Sequence, residues 1–223
     1  MALLQKIRTA LLRISGYLVP LFQQIPTLGI YTGLMTLPFI AVLIIIFTQF
    51  PLSLIGMVTE FLMMSFMSVG VLFANVVTVT GILVIAYSVI YFQLHKKEGL
   101  ITTGPYRFIR HPQYAGFLLM TLGLTAFSYW WLSNTFGIGW LSKEATVALW
   151  FVQLGIYVGL AILEESHLTK KFGDQYGKYK TQTSFVLPLG RSTRFDIPIS
   201  IGLLSLGMMC LIFFQSLGTF TFA

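Results

Sequence analysis

Long stretches without a single charged residue constrain this chain more than any other feature. Residues 14–59, 61–94, 112–142, 145–163 and 197–223 contain no Asp, Glu, Lys or Arg. A helix needs about 20 apolar residues to cross a bilayer, so each run is long enough for a crossing. Only 9% of the residues are charged, whereas a soluble domain has about 25%. A soluble globular protein is therefore excluded.

The apolar runs predict an all-α fold, a polytopic transmembrane helical bundle of about five or six spans. Because the runs are continuously apolar rather than alternating, they favour helices over the strands of a membrane β-barrel. Pro51 and Asn75 are interpreted as breaks between the first spans. The expected spans are residues 31–50, 53–73, 76–94, 113–132, 145–163 and 198–217.

The beginning of the chain has a different pattern. Lys6, Arg8 and Arg13 alternate with leucine and isoleucine. This pattern predicts an amphipathic helix, within an N-terminal segment 1–29, that lies in the plane of the membrane interface.

The basic residues indicate an orientation in the membrane. Ten of the fourteen Lys and Arg residues lie in two loops, 95–112 and 164–197. Two spans separate these loops, so both lie on one side, and the positive-inside rule places that side in the cytoplasm. Three spans before residue 95 would then put the basic N-terminal segment outside, against the same rule. The side of the N-terminus therefore stays open.

The first basic loop ends in a group of polar residues at the start of a span. Pro112 suits the first position of a helix, which places His111 at the cap and Tyr114 one turn inside. Free N–H groups at a helix start, with Arg110 beside them, favour an anion. Gly116 allows another backbone or a ligand to approach closely. Simple helix capping and anchoring to lipid headgroups is an alternative explanation for the sequence Arg110-His111-Pro112.

The second basic loop begins with two adjacent carboxylates. Glu164 and Glu165 lie at the end of the fifth expected span, where unpaired charges are costly. Arg107 and Arg110 lie on the same side of the membrane and are candidate partners, in a structural or a functional role. Further along, Tyr176 and Tyr179 share one helical face and are interpreted mainly as interface anchors, and less as ligands.

In this order and spacing the motifs resemble the integral-membrane methyltransferases typified by isoprenylcysteine carboxyl methyltransferase. Phospholipid N-methyltransferases and bacterial small-thiol S-methyltransferases share the pattern. The resemblance covers residues 93–189. It is carried by Leu100, Ile101, Thr102, Gly104, Pro105 and Tyr106, by Arg110, His111, Pro112, Tyr114 and Gly116, and by Glu164, Glu165, Leu168, Phe172, Gly173, Tyr176, Tyr179 and Lys180.

The resemblance implies S-adenosylmethionine as methyl donor and a helical membrane fold unrelated to soluble methyltransferases. The partners it implies are this donor, membrane lipid and a lipophilic or small-molecule acceptor. It also implies that Arg110, His111 and Glu165 are catalytic. The implied cofactor contacts are Gln93, Leu100, Ile101, Tyr106, His111, Pro112, Tyr114, Glu164 and Glu165.

The chemistry of these side chains suits that donor. Glu164 or Glu165 can hold its ammonium group, and the rings of Tyr106 and Tyr114 can face its sulfonium, at about 1 kcal/mol for a cation–π contact. The helix start at His111 can hold its carboxylate. A general base, such as His111 or a glutamate, is needed only if the acceptor arrives protonated.

One departure from the family pattern bears on the acceptor. The prenylcysteine enzymes carry an arginine one helical turn before the first glutamate, associated with the carboxylate of the acceptor. This chain has Leu160 there. The expected acceptor is therefore a lipid amine, a hydrophobic thiol or another apolar nucleophile, rather than a carboxylate.

Four segments are expected. They are the N-terminal segment 1–29, transmembrane hairpins 30–94, a methyltransferase-like region 95–189 with two spans, and a C-terminal span within 190–223. Two other functions stay open: an NADPH-dependent membrane lipid or steroid reductase, and a non-enzymatic docking subunit. The single cysteine, Cys210, excludes an internal disulfide. No metal is expected.

Overall fold

A computed structural model describes residues 63, 68–96, 99–134, 142–190 and 192–216, which form five α-helices and one 3₁₀ turn. Four of the helices are long and apolar enough to cross a membrane, which confirms the all-α membrane bundle. The expected interfacial segment 1–29 and span 31–50 lie outside the described residues. The helices are α1 (Val69–His95), α2 (Pro112–Asn134), α3 (Lys143–Phe172), α4 (Asp174–Gln182) and α5 (Asp196–Ser216), with the 3₁₀ turn at Gly104–Arg107.

The first described span begins earlier than predicted. Helix α1 runs without interruption through Asn75, so the predicted break between spans 53–73 and 76–94 is wrong there. One asparagine costs a helix interior less than about 0.7 kcal/mol, too little to end a helix of this length. The helix starts instead where the Ser68 hydroxyl accepts a hydrogen bond from the Val71 N–H at 3.1 Å.

Glycines bring α1 and α2 into close backbone contact. A Cβ atom on Gly81 would meet the Met120 backbone nitrogen and lie 2.6 Å from the Gly116 carbonyl oxygen. A Cβ on Gly116 would lie 2.8 Å from the Ile85 backbone nitrogen. These obstacles are main-chain atoms, which cannot rotate away. Gly116 therefore serves the approach of a backbone, and small residues set the distance between the two helices.

A polar contact inside the bundle joins α2 to α3. The buried Thr121 hydroxyl accepts hydrogen bonds from Trp150 Nε1 at 3.2 Å and from Gln153 Nε2 at 2.8 Å. Such bonds between membrane helices are worth about 0.6 kcal/mol on average. They also fix the rotation of α3, whose far end carries Glu164 and Glu165.

The two basic loops meet at one end of the bundle, as predicted. Arg110 N–H donates to the Ser184 carbonyl at 2.9 Å, and His111 N–H donates to the Phe185 carbonyl at 3.2 Å. This strand-like pairing includes a parallel bridge between Ile109 and Ser184. The chain before α2 is thereby fixed against the chain after α4. Which side of the membrane this end faces stays a prediction.

Helix α4 covers this end of the bundle with two tyrosines. Tyr176 and Tyr179 share a face, as predicted, and their ring centroids lie 5.9 Å apart. Both rings are buried within the protein. The interpretation of these residues as interface anchors is therefore wrong, because neither ring is available to lipid headgroups.

Candidate functional site

A buried arginine holds the loops of the site together. The Arg110 side chain is only 2% exposed, and its Nε donates to Glu165 Oε1 at 2.6 Å. Its Nη1 donates to the carbonyl oxygens of Thr183 and Lys180 and lies 3.7 Å from Asp196 Oδ2. One guanidinium thus joins the start of α2 to α3, to the end of α4 and to the start of α5.

Glu165 is fully engaged by cations of the protein. Besides Arg110, the Lys180 ammonium group donates to Glu165 Oε2 at 2.6 Å. The side chain of Glu165 is 6% exposed. Because each oxygen of the carboxylate already faces a cation, Glu165 balances charge inside the protein.

The imidazole of His111 lies between the two glutamates. Nδ1 is 3.4 Å from Glu164 Oε2, and Nε2 is 3.5 Å from Glu165 Oε1. The second contact lacks hydrogen-bond geometry, so Nε2 is a buried atom without a hydrogen-bond partner. Burial opposes the charged imidazolium, but the two carboxylates outweigh it and raise the pKa of His111.

A pocket of about 260 Å³, which we name the His111 pocket, opens beside these groups. Glu164 lines it with a side chain that is 23% exposed, in contrast to its buried neighbour Glu165. The lining residues of the pocket are Phe92, Tyr106, Arg110, His111, Pro112, Gln113, Tyr114 and Glu164.

Aromatic rings form the walls of the His111 pocket. The ring of Tyr114 lies almost parallel to the imidazole of His111, with centroids 5.4 Å apart. The ring centroids of Tyr106 and Phe92 lie 6.4 Å apart. Burial, together with the charge of Glu164, raises the pKa of the Tyr106 phenol, so this ring stays neutral. The pocket thus combines neutral aromatic faces with one carboxylate that no lysine or arginine of the described chain contacts.

The structure brings most of the predicted site residues together. Tyr106, His111, Pro112, Tyr114 and Glu164 line the pocket, and Glu165 lies behind it. Their roles stay predictions.

Three predicted cofactor contacts lie outside the lining of the pocket. Gln93 is exposed, and its amide oxygen accepts a hydrogen bond from Lys96 at 2.8 Å. Leu100 and Ile101 are half-buried in the loop after α1.

The sequence assigned no role to several residues of the site, although Lys180 belongs to the matching motif. Phe92 and Gln113 line the pocket, and Lys180 and Asp196 contact the buried charges. Phe92 carried no signal, because it is one apolar residue in an apolar span. Gln113 lies between two residues that were predicted, so its place in the first turn of α2 could have indicated it.

Taken together, the fold and the site define a helical integral-membrane protein with a charged pocket at one end of its bundle. A family model described as phospholipid methyltransferase matches residues 59–175, slightly more than half of the chain. The chain belongs to this family. The matched region contains all of α1, α2 and α3, whereas the charge partners Lys180 and Asp196 follow it in the chain.

A curated relative is similar over a shorter region. Methanethiol S-methyltransferase 1 of Bradyrhizobium diazoefficiens is 34% identical over 87 residues, which are 39% of this chain and 25% of that protein. The match thus spans only about a quarter of the length of that relative. No solved structure matches the chain.

Removing the charge of Glu165 should destabilise the fold. Glu165→Gln leaves the buried Arg110 without its closest counter-charge, and breaking a buried pair costs about 3–5 kcal/mol. Thermal unfolding of the detergent-solubilised variant should show that the free energy of unfolding is about 2–5 kcal/mol lower than in the wild type. The lower end of this range applies because the amide of Gln keeps part of the hydrogen bonding. Glu144→Gln is the control, because this glutamate is exposed on the same helix. Equal melting temperatures for the two variants would contradict a structural role for Glu165.

His111 should make the stability depend on pH. Its pKa is raised on folding, so its contribution is complete below the ordinary value of about 6.5 and is lost as the pH rises through the raised value. The melting temperature of the wild type should therefore fall across this window more steeply than that of His111→Gln. His167→Gln, which changes an exposed ring, should keep the slope of the wild type. Equal slopes for all three proteins would show that His111 gains no proton on folding.

Proposed function

We propose that this protein is a membrane methyltransferase that uses S-adenosylmethionine. The observation that carries the proposal is the His111 pocket, where a partly exposed carboxylate, contacted by no lysine or arginine of the described chain, and aromatic walls meet the first turn of α2. Family membership supports the reaction class. A reductase would bind NADPH in place of this donor, and a docking subunit would bind neither cofactor.

Glu164 is the residue that we propose to hold the ammonium group of the donor. Its carboxylate lines the pocket and contacts only His111 among the described cations, whereas Glu165 is held by Arg110 and Lys180. A carboxylate that already faces two cations has little remaining attraction for a third. The choice between the two glutamates, which the sequence left open, therefore falls on Glu164.

The start of α2 supplies groups of the opposite sign. The first N–H groups of a helix have no partner within the helix, and the raised pKa of His111 favours a positive charge beside them. The Nε2 of His111 faces Glu165 at 3.5 Å, so we propose that the helix N–H groups hold the carboxylate of S-adenosylmethionine. Phe92, Tyr106 and Tyr114 present neutral rings that suit a sulfonium.

The remaining predicted residues take supporting roles in this proposal. Arg110 and Glu165 act as positioning residues, since their charged groups contact each other and the loops. Leu100 and Ile101 are proposed to contact the part of the donor that extends beyond the small pocket. Gln93 is left out, because its amide group faces Lys96.

The proposed reaction depends mainly on the alignment of the acceptor with the methyl group. S-adenosylmethionine supplies a methyl group on a sulfonium, and as the acceptor forms its bond to carbon, the carbon–sulfur electron pair returns to sulfur. Positioning is worth up to about 7–11 kcal/mol in the best intramolecular reactions. The packed rings and the buried charges around Arg110 provide the rigid frame that such alignment needs.

We further propose a thiol or a lipid amine as the acceptor. Between Glu144 and Glu164, α3 carries no charged residue, and Leu160 is half-buried, so this stretch offers no cation for an acceptor carboxylate. The raised pKa of His111 favours its protonated form, which cannot take a proton from the acceptor. A thiol, with a pKa near 8.5, loses its proton more readily than an amine near 10.4. The name of the methanethiol S-methyltransferase relative also favours a thiol.

Binding of the product analogue tests the donor site directly. Isothermal titration of the solubilised protein with S-adenosylhomocysteine should show saturable binding. Glu164→Gln should weaken it at least about tenfold, since a hydrogen bond to a charged group is worth about 1.5–3 kcal/mol. Glu144→Gln should bind as the wild type does. Absence of binding to folded wild type, or saturable binding of NADPH in its place, would refute the proposal.

The acceptor is tested by mass spectrometry of the methylated products. Purified protein with S-adenosylmethionine should methylate a short alkanethiol or phosphatidylethanolamine, and should leave the carboxylate of a prenylcysteine analogue unmodified. Installing the missing arginine through Leu160→Arg provides a matched comparison. Efficient methyl-ester formation by the wild type would overturn the proposed acceptor class while leaving the donor site intact.

A further inference from the structure

A second depression lies next to the His111 pocket, on the same end of the bundle. We name it the Arg107 depression, and it encloses about 1050 Å³ of open space. The two sites share a wall. Tyr106 lines the first, while its sequence neighbour Arg107 lines the second, together with Tyr179. The hydroxyl of Tyr179 donates to the Tyr106 carbonyl at 2.7 Å, which joins the two elements of the wall.

Positive charge dominates the lining of the Arg107 depression. Arg107 extends from the 3₁₀ turn and Lys178 from α4, and both are exposed. No carboxylate is among its lining residues, and within the described parts of the chain neither cation has a carboxylate within 4 Å. This separates them from Arg110 and Lys180, whose charges are balanced inside the protein.

The neutral residues of the depression are hydrogen-bonding groups. Thr102 and Thr103 lie on one side, and Gln175 and Gln182 on the other. Tyr91 donates its hydroxyl proton to Thr103 Oγ1 at 2.8 Å. The hydroxyl of Thr103 therefore accepts from the tyrosine and has its own proton available for another acceptor.

We propose that the Arg107 depression binds a phosphate-bearing ligand. A phosphate group presents three or four oxygens in a tetrahedral arrangement, which suits donors that converge from two separate elements. The guanidinium of Arg107 matches two of these oxygens at once, and Lys178 adds a point charge from the opposite side. Hydroxyl and amide groups supply the remaining hydrogen bonds. A planar carboxylate, with two oxygens, would leave much of this set unused.

Two sources offer the same phosphate chemistry. The depression lies where α1 ends and α2 begins, so it is at the level of lipid headgroups if these helices cross the membrane. A soluble phosphate ester reaches it equally well from the aqueous side. The proposal concerns binding and does not depend on methyl transfer.

The experiment uses two probes, one for each source. Inorganic phosphate is titrated into the detergent-solubilised protein at low ionic strength, because exposed charges are screened by salt. In the second arm, native mass spectrometry counts phosphatidic acid retained by protein taken from nanodiscs of phosphatidylcholine and phosphatidic acid. The double variant Arg107→Gln/Lys178→Gln is compared with Lys170→Gln/Lys171→Gln. The control removes the same charge from exposed residues of α3 that do not line the depression.

The site variant should lose affinity for at least one probe by about tenfold or more, while the control variant keeps the affinity of the wild type. Loss for inorganic phosphate alone assigns a soluble ligand, and loss in the nanodisc arm alone assigns a headgroup. An equal loss in both double variants would overturn the proposal, since it would show attraction by diffuse charge. Binding of neither probe to folded wild type would also overturn it. Retained S-adenosylhomocysteine binding in all three proteins separates this result from the fate of the proposed donor site.

Discussion

The contact between Arg110 and Glu165 is the interaction on which the rest of this structure depends. A charged side chain at the edge of an apolar bundle is costly unless a partner meets it, and here both partners are almost fully buried. The pair joins sequence positions that are 55 residues apart. Lys180 and Asp196 add further charges at its two ends. Two loops and three helices therefore have to assemble around one charge balance.

The two neighbouring glutamates, Glu164 and Glu165, have different surroundings in this arrangement of charges. Successive residues of a helix point about 100° apart, so Glu165 turns into the protein while Glu164 turns toward the His111 pocket. The imidazole of His111 lies within 3.5 Å of both carboxylates, the buried Glu165 and the partly exposed Glu164.

The sequence predicted the described spans near 113–132, 145–163 and 198–217 and the two polar blocks, because long apolar runs and the order of polar residues are local signals. It failed at Asn75, where a single polar residue was interpreted as a break, although the α1–α2 contact and the Ser68 cap favour a continuous helix. The roles of Glu164 and Glu165 could not be separated, since adjacent residues differ only in the partners that the fold supplies. Lys180 and Asp196 were missed as partners of the site for the same reason, because each contact joins distant parts of the chain.

The location of the candidate site follows from the surroundings of the helices, which are apolar along the spans and aqueous at their ends. Inside the spans, polar groups such as Thr121 and Gln153 are used to join helices, and the described bundle concentrates its charges at one end. The proposed methyl donor, which carries both charges, would need a carboxylate, a cation and water-accessible entry, and the end with His111 and Glu164 provides these. The proposed apolar acceptor, by contrast, would dissolve among the spans. The start of α2 is where these two environments meet, which explains why one short turn carries His111, Pro112 and Tyr114 together.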